Sequence, residues 1–313
     1  MTTHDGLLLV GHGSRSLESQ AEMRAIGDLV AAALPEVAVD VGYLEMSHPP
    51  AGLVLDKLVA GGCRRVVVLP LMLLAAGHGK SDVPAVVLEG RRRHPSTEIV
   101  FGSPLGVARE LVAVLGDAVD DAGARGLPLL VVARGTSDPD ANAEAHRAAR
   151  LVAEWTGACF VHTAFSGVTW PSVPQGLDVL DDVVARCGTA EFAMVFWFLC
   201  DGRLIQRARR DVENFRERSG NHVVDAGYLG PDPRVVTVIH DRYGEALTGG
   251  TPVYTCDTCA YRAPFPGRED RVGRARGVGH SPLAAEHRHR AATDHAASHA
   301  DPHDHRGRDE VTW

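Results

Sequence analysis

The sequence predicts an α/β protein made of two tandem, duplicated domains, each built around a parallel β-sheet. Short apolar runs alternate with segments of helical period along most of the chain, which is typical of repeated βα units. The first run, 7–10, is apolar at every position, as expected for a strand covered on both faces. An internal repeat, the third observation, indicates that one α/β unit occurs twice.

The repeat has a constant offset of 122 residues. It places LLLVGHGSRS at 7–16 on LLVVARGTSD at 129–138, and the register persists to about residue 49. The identical pairs include Gly13 with Gly135, Ala21 with Ala143, Glu22 with Glu144 and Pro49 with Pro171. Chance similarity between two βα openings would not hold a single offset over this length.

The elements follow from the alternation of patterns. Strands are predicted at 7–10, 37–41, 65–71, 98–101, 129–132, 158–162, 192–199 and 222–225. Segments of helical period fill the gaps, beginning with the stripe Ile26, Leu29, Val30 and Ala33. Helices between successive strands are the connections that a parallel sheet requires.

The repeat and a change of composition divide the chain into three parts. The first domain is predicted to span 1–123 and the second 124–250, and the chain is long enough for both to bury a core. From His280 onward it consists mainly of Ala, His, Arg and Asp. That composition cannot bury a core, so the 251–313 extension is predicted to be a flexible, His-rich tail.

Composition and charge argue against several classes of partner. The formal net charge of −8 argues against nucleic-acid binding and means that local positive groups must bind any anionic substrate. The longest apolar stretch, 66–76, is too short to span a bilayer. The first residues lack the features of a signal peptide, and four of the six cysteines are scattered as in a reduced compartment. We therefore expect a cytoplasmic protein without a nucleic-acid or membrane partner.

Three potential metal ligands follow the first three predicted strands. His12 and His78 each lie beside glycines after the first and third strands, and Glu45 lies just past the second. Because the carboxyl ends of parallel strands meet at one edge of a sheet, we expect these side chains to converge. Two imidazoles and a carboxylate suit divalent Co, Fe, Ni or Zn ions, and three protein ligands leave positions open for chemistry.

The second copy of the repeat serves as an internal control. His12 aligns with Arg134, Glu45 with Gly167 and, after a one-residue gap, His78 with Arg203. Histidines needed for the fold would tend to persist in both copies. The second copy keeps the pattern of the fold and lacks the ligands, so we place the site in the first domain.

Three motifs resemble the class II tetrapyrrole chelatases, specifically the sirohydrochlorin cobaltochelatases and ferrochelatases. They are GHGSR at 11–15, YLEMSHPP at 43–50 and PLMLLAAGHGKSDVP at 70–84, and the resemblance extends over about 6–250. It implies two similar domains that face each other across a central cleft. It also implies that His12 and His78 are the catalytic and metal-binding residues, with Glu45 as their acidic partner.

The resemblance implies sirohydrochlorin and a divalent metal ion as substrates. Metal insertion requires two pyrrole N–H protons to leave, and an imidazole can bind the metal or accept a proton near neutral pH. Sirohydrochlorin carries eight carboxylates, for which we expect Ser14 and Arg15 on one side and Arg134 and Thr136 on the other to be partners. For the two arginines, an exposed and solvated role is equally compatible with the sequence.

Asp82 admits two interpretations. Its carboxylate would either orient the His78 ring or cap the helix that follows. The sequence favours capping.

The extension carries a second group of potential ligands. Cys256 and Cys259 form a CxxC pair that suits one edge of an iron–sulfur cluster, although a cluster would need a second subunit, as in a homodimer, or outside ligands. A zinc site, a redox pair and free thiols are the alternatives. The histidine density of the tail predicts accessory metal binding at His280, His287, His289, His295, His299, His303 and His305.

The sequence therefore predicts a sirohydrochlorin chelatase. The tail resembles that of long cobaltochelatases, which favours Co²⁺ and cobalamin biosynthesis. The nearest alternative is a ferrochelatase of sirohaem synthesis, because His and Glu ligands do not separate the two metals. A non-enzymatic metal store or metallochaperone would explain the tail but not the two histidines at strand ends.

Overall fold

Each repeat forms a four-stranded parallel sheet, as predicted. The computed structural model describes residues 4–249, 259, 262 and 269–273. The first sheet contains β1 (Asp5–Gly11), β2 (Val37–Tyr43), β3 (Arg65–Pro70) and β4 (Glu98–Phe101), in the order β2-β1-β3-β4. The second contains β5 (Leu129–Ala133), β6 (Val161–Phe165), β7 (Glu191–Trp197) and β8 (His222–Tyr228), in the equivalent order β6-β5-β7-β8.

The helices follow the same duplication. The first repeat has α1 (Leu17–Ala33), α2 (Ala51–Ala60), a π-helical turn (His78–Asp82), α3 (Val83–Arg93) and α4 (Arg109–Asp121). The second has α5 (Pro139–Thr156), α6 (Val173–Cys187), α7 (Arg203–Ser219) and α8 (Pro233–Leu247), and a 3₁₀ turn lies at Glu269–Arg271. In the register of the repeat, α1 and α5 begin at equivalent positions, and so do α2 and α6. Within the described residues, no helix is long and apolar enough to cross a membrane.

The eight predicted strands all form, but the predicted position of the sixth is wrong. It was expected at 158–162, whereas β6 begins at Val161 and pairs with β5 up to Phe165. Residues 158–160 follow the end of α5, where Gly157 adopts a left-handed conformation and Ala158 N–H donates to the carbonyl of Ala153. The chain therefore enters the sheet three residues later than the apolar pattern indicates.

The core is shared between the two repeats. Alternate residues of β1 point to opposite faces, so that Leu8 and Val10 join an outer cluster with α2 and α3. Leu7 and Leu9 point the other way, into a central cluster that also contains residues of the second repeat such as Leu129. The central cluster is one continuous apolar layer between the two sheets.

The last helix of each repeat packs on the sheet of the other. Helix α4 contacts α5, β7 and β8, whereas α8 returns to contact α1, β3 and β4. A cut of the chain near residue 123 would thus separate each sheet from one of its covering helices. The domain bounds, 1–123 and 124–250, follow the sequence repeat and stay a prediction.

Two equivalent glutamates bridge the repeats. Glu22 on α1 accepts hydrogen bonds from the backbone N–H of Asp201, at 2.7 Å, and from the hydroxyl of Tyr228. Its repeat partner Glu144 on α5 accepts one from the backbone of Ala75, and burial raises the pKa of the Glu144 carboxyl. Each half therefore binds a loop at the carboxyl end of the other sheet, and we call these two contacts the glutamate clasp.

A buried ion pair joins the halves on one side. Lys80 Nζ lies 2.9 Å from Asp138 Oδ2 and 3.0 Å from Asp140 Oδ2. The three side chains are only 8%, 2% and 6% exposed, so the charges have little access to water. Burial opposes the charge of Lys80, but hydrogen bonds to both carboxylates outweigh it and raise the lysine pKa. We call this contact the Lys80 latch.

We expect Lys80→Met to destabilise the protein by about 3 to 5 kcal/mol, because it leaves two buried carboxylates without their cation. The matched control is Lys57→Met, which removes the exposed pair between Lys57 and Asp40, where the lysine side chain is 75% exposed. That change should cost no more than about 1 kcal/mol. Urea unfolding of the full chain measures both, and equal midpoints for the two variants would contradict a stabilising latch.

Candidate active site

The three expected ligands meet at the carboxyl edge of the first sheet. His12 Nε2 lies 3.1 Å from His78 Nε2 and 3.1 Å from Glu45 Oε1. One ligand atom from each of the three residues falls within 4.8 Å of the others. His12 directly follows β1, Glu45 follows β2 by two residues, and His78 opens the π-helical turn after β3. The parallel strands thus deliver all three side chains to one point.

The residue after His12, Gly13, lies where the backbone leaves no space for a side chain. Its φ is +98°, and a Cβ built there would lie 1.7 Å from the carbonyl oxygen of Glu45. The two loops can touch only because this residue has no side chain. Their contact is completed by the N–H of Glu45, which donates to the carbonyl of His12 at 3.1 Å.

Both imidazoles are anchored through Nδ1. His12 Nδ1 lies 3.2 Å from the carbonyl oxygen of Gly13, and His78 Nδ1 lies 2.5 Å from Asp82 Oδ2. Since both partners are acceptors, they assign the proton of each neutral ring to Nδ1. The Nε2 lone pairs are then left free to bind a metal ion, and the two rings are nearly perpendicular, at 89°.

The prediction that Asp82 caps α3 is wrong. Its side chain makes no capping hydrogen bond, and its backbone is helical (φ −78°, ψ −41°), whereas a capping residue has extended backbone. Asp82 instead binds His78, and the hydroxyl of Ser81 donates to its second carboxylate oxygen at 2.9 Å. The π-helical turn places the residues four apart on one face, so the carboxylate orients the ring.

The donor set fits a borderline divalent ion. Ligand atoms about 2.1 Å from one ion stand about 3.0 to 3.4 Å apart at octahedral or tetrahedral angles. The separations of 3.1 Å from His12 to the other two ligands fall in that range. Two nitrogens and one oxygen suit the later first-row metals, and three ligands leave room for another molecule to bind.

The surroundings of His12 favour its neutral form. Burial lowers the pKa of His12, and the positive charges of Arg134 and a protonated His78 would lower it further. The backbone of Gly13 and the charge of Glu45 act in the opposite direction but are weaker. Arg134 comes from the second half, with its NH2 atom 3.5 Å from His12 Nε2. A neutral His12 can bind a metal ion or accept a proton.

A cleft of about 540 Å³ opens over this cluster, between the two halves, as the resemblance implies. The first half contributes His12, His78 and the apolar segment 71–74, and the second contributes the 134–138 loop and 197–199. Trp197 lies in this wall and is only 2% exposed, yet its indole N–H has no hydrogen-bond partner among the described residues. The cleft is therefore apolar around a polar metal-binding end.

The four expected substrate-binding residues lie in three different places. Arg134 and Thr136 line the cleft. Ser14 instead lines an adjoining pocket of about 140 Å³ beside His12. Arg15 lies farther out, in a groove of about 660 Å³ that also contains Arg203. Arg203, the repeat partner of His78, is thus not at the metal-binding end.

Sequence reasoning missed Lys80 and Trp197. The partners of Lys80 lie 58 and 60 residues away, so no local pattern points to them. Trp197 ends an apolar strand, and its sequence context is that of a core residue.

The accessory site expected in the extension lies almost entirely outside the described residues. This holds for Cys256 and for the tail histidines His280, His287, His289, His295, His299, His303 and His305. Cys259 is described and is a buried free thiol. The described residues give no support to an iron–sulfur cluster.

Comparison with known proteins gives consistent matches. The family model described as CbiX matches 6–122 and again 128–246, once for each repeat. A sirohydrochlorin cobaltochelatase of Priestia megaterium is 34% identical over 266 residues, which cover 82% of this chain and 84% of the relative. A sirohydrochlorin ferrochelatase of Bacillus subtilis (strain 168) is 26% identical over 257 residues, covering 82% and 97%.

A solved structure shows the same architecture. SirB from Bacillus subtilis with Fe³⁺ aligns with a TM-score of 0.69 and 27% identity, over 78% of this chain and 96% of SirB.

We expect Asp82→Ala to weaken Co²⁺ binding by about 10-fold to 100-fold, because the His78 ring loses the partner that fixes its orientation. Asp56→Ala is the matched control, since it removes the carboxylate that binds His94 Nε2 at 2.6 Å outside the cleft. Isothermal titration with Co²⁺ measures both. Equal losses in the two variants, or none in Asp82→Ala, would contradict the orienting role.

We expect Arg134→Gln to shift the pH dependence of Co²⁺ binding to higher pH. Arg134 helps to lower the pKa of His12, so without its charge protons compete with the metal at higher pH. Titrations with Co²⁺ at a series of acidic pH values measure the shift. The affinity of each variant is expressed relative to its own plateau at higher pH. Arg125→Gln, which changes an exposed arginine paired with Asp120, is the control. An unchanged or lower midpoint would contradict the electrostatic coupling.

Proposed function

Because this chain belongs to the CbiX family, we propose that it is a sirohydrochlorin chelatase, which inserts a divalent metal ion into sirohydrochlorin. The observation that carries the proposal is the convergence of His12, Glu45 and His78 beside a cleft that has an apolar wall and is lined by the two histidines. A metal ion held there faces the space that a flat macrocycle would occupy. The curated relatives named above have this activity in their names.

The residues suggest how insertion proceeds. His12, Glu45 and His78 bind the incoming M²⁺ and leave its remaining positions free for the tetrapyrrole nitrogens. As metal–nitrogen bonds replace metal–protein bonds, two pyrrole N–H protons leave. The released Nε2 atoms of His12 and His78 lie next to the reacting centre and accept the protons one at a time, each passing to solvent before the next is taken. The two rings, whose Nε2 atoms are 3.1 Å apart, are then never both charged.

The second half of the protein supplies substrate contacts in this proposal. Arg134 and Thr136 line the cleft from the second half, and the guanidinium of Arg134 binds a carboxylate of the macrocycle in this proposal. Ser14 and Arg15 act from the first half, toward the outer side of the cleft. The protein's net charge of −8 makes such local cations necessary for a polyanionic substrate.

We propose Co²⁺, and hence cobalamin biosynthesis, as the assignment of the metal. The 34% identical relative is named as a cobaltochelatase, and the tail resembles that of long cobaltochelatases. Fe²⁺ insertion for sirohaem is the alternative, since the same donor set binds both ions. A metal store or metallochaperone is less well supported, because storage has no use for a cleft of about 540 Å³ above one three-ligand site. A cytoplasmic location, a homodimer and metal binding by the tail stay predictions.

We expect His12→Ala and His78→Ala each to lower the rate of insertion by about 100-fold to 10,000-fold, since each change removes a proton acceptor and a metal ligand. Glu45→Gln should weaken the use of metal more than the binding of tetrapyrrole. His222→Ala, at a largely exposed histidine beside Glu191, is the control and should retain activity.

Anaerobic spectroscopy of sirohydrochlorin with Co²⁺ or Fe²⁺ measures the rates and compares the metals. Near-wild-type insertion by both histidine variants would contradict the proposed site. Metal binding by the wild-type chain without insertion of either ion would favour the metal store.

A further inference from the structure

The two flanks of the cleft are related by the sequence repeat but differ in chemistry. On one flank the Lys80 latch joins the π-helical turn to Asp138 and Asp140 at the start of α5. On the other flank, the repeat register places Ser16 and Glu18 at the positions of those two aspartates. The first turn of α7 stands there in place of the π-helical turn, and no lysine bridges the halves among the described residues.

The flank without a latch is an open groove of about 660 Å³. Its walls are the loop and first turn at 15–18 and the segment 201–210. Three guanidinium groups line it: Arg15 from the first half, and Arg203 and Arg210 from the second. We call this surface the arginine groove.

Among the described residues, none of these three arginines has a carboxylate within ion-pair distance. The two acids that also line the groove already have other partners. Glu18 accepts a hydrogen bond from the Ser16 hydroxyl at 2.6 Å. Asp201 accepts one from Gln206 at 2.9 Å and lies 3.4 Å from Arg209. The groove thus offers cations to an anionic ligand, in a protein whose net charge is negative.

The arginine groove continues the cleft outward. The small pocket beside His12 is lined by Ser14 on one side and Cys200 on the other. The next residue in each loop, Arg15 or Asp201, already lines the groove. A flat ligand over the metal site would therefore extend its edge toward the groove, whereas the Lys80 latch blocks the opposite flank.

We propose that the arginine groove binds peripheral carboxylates of the tetrapyrrole and is the side from which the macrocycle enters the cleft. This assignment rests on the proposed chelatase function. The ligand class it defines is a planar polycarboxylate whose acidic arms project from one edge. In this proposal Arg203 and Arg210 bind the carboxylate arms of the substrate. They take no part in binding the metal ion.

The test uses the full chain with the double variant Arg203→Gln/Arg210→Gln. Fluorescence titration measures binding of metal-free sirohydrochlorin, of uroporphyrin with eight carboxylates and of coproporphyrin with four. The matched control is Arg207→Gln/Arg218→Gln, which removes the same charge from α7 at exposed positions outside the groove. Steady-state kinetics add KM and kcat for sirohydrochlorin, and thermal melting confirms that each variant is folded.

We expect the groove variant to bind sirohydrochlorin and uroporphyrin about 3-fold to 20-fold more weakly, as expected for the loss of two exposed charge pairs. KM should rise by a similar factor while kcat stays near the wild-type value. The wild-type preference for uroporphyrin over coproporphyrin should shrink in the groove variant and persist in the control.

Other outcomes separate the two proposals. If the wild-type chain inserts metal and the groove and control variants bind sirohydrochlorin equally well, the arginine groove is overturned while the chelatase function stands. Equal weakening in both variants would also overturn it, because general charge rather than the groove would then explain binding. A wild-type chain that neither binds sirohydrochlorin nor inserts metal would overturn the proposed function itself.

Discussion

The glutamate clasp holds each half against a loop of the other at the carboxyl ends of the strands, and the position of these loops shapes the cleft. Glu22 and Glu144 each bind a backbone N–H in a loop of the opposite half, close to the carboxyl ends of the strands. Backbone donors fix the position of a loop more tightly than side-chain donors, because they have no rotamers of their own. With the loops held in this way, Arg134 is brought to 3.5 Å from a histidine of the other half.

Duplication has given the two halves one fold and different chemistry. The first half provides the three proposed metal ligands of the cleft, while the second covers them and contributes an arginine where the first has His12. That cover has an electrostatic effect: burial and the charge of Arg134 both lower the pKa of His12, so the imidazole is ready to bind a metal or accept a proton. The asymmetry also extends to the flanks, of which one carries the Lys80 latch and the other the arginine groove.

The π-helical turn combines three tasks in five residues. His78 points to the metal-binding end, Lys80 to the second half, and Asp82 back to the ring of His78. An α-helical turn of the same length would rotate these side chains differently, and π-helical turns occur frequently at functional sites. The position of a proposed metal ligand is therefore linked, through one short segment, to the contact between the halves.

The sequence by itself determined the α/β class, the duplication, the existence of all eight strands and the convergence of His12, Glu45 and His78. These follow from local patterns, because strand periodicity and the shared edge of a parallel sheet are independent of distant contacts. Only the tertiary structure decided that α4 and α8 exchange sheets, that Lys80 pairs with Asp138 and Asp140, and that Asp82 orients His78 instead of capping α3. It also showed that Arg134 lines the cleft whereas Arg15 lies in the outer groove. Each of these outcomes depends on how residues far apart in the chain pack together, and a single sequence carries no local signal for such contacts.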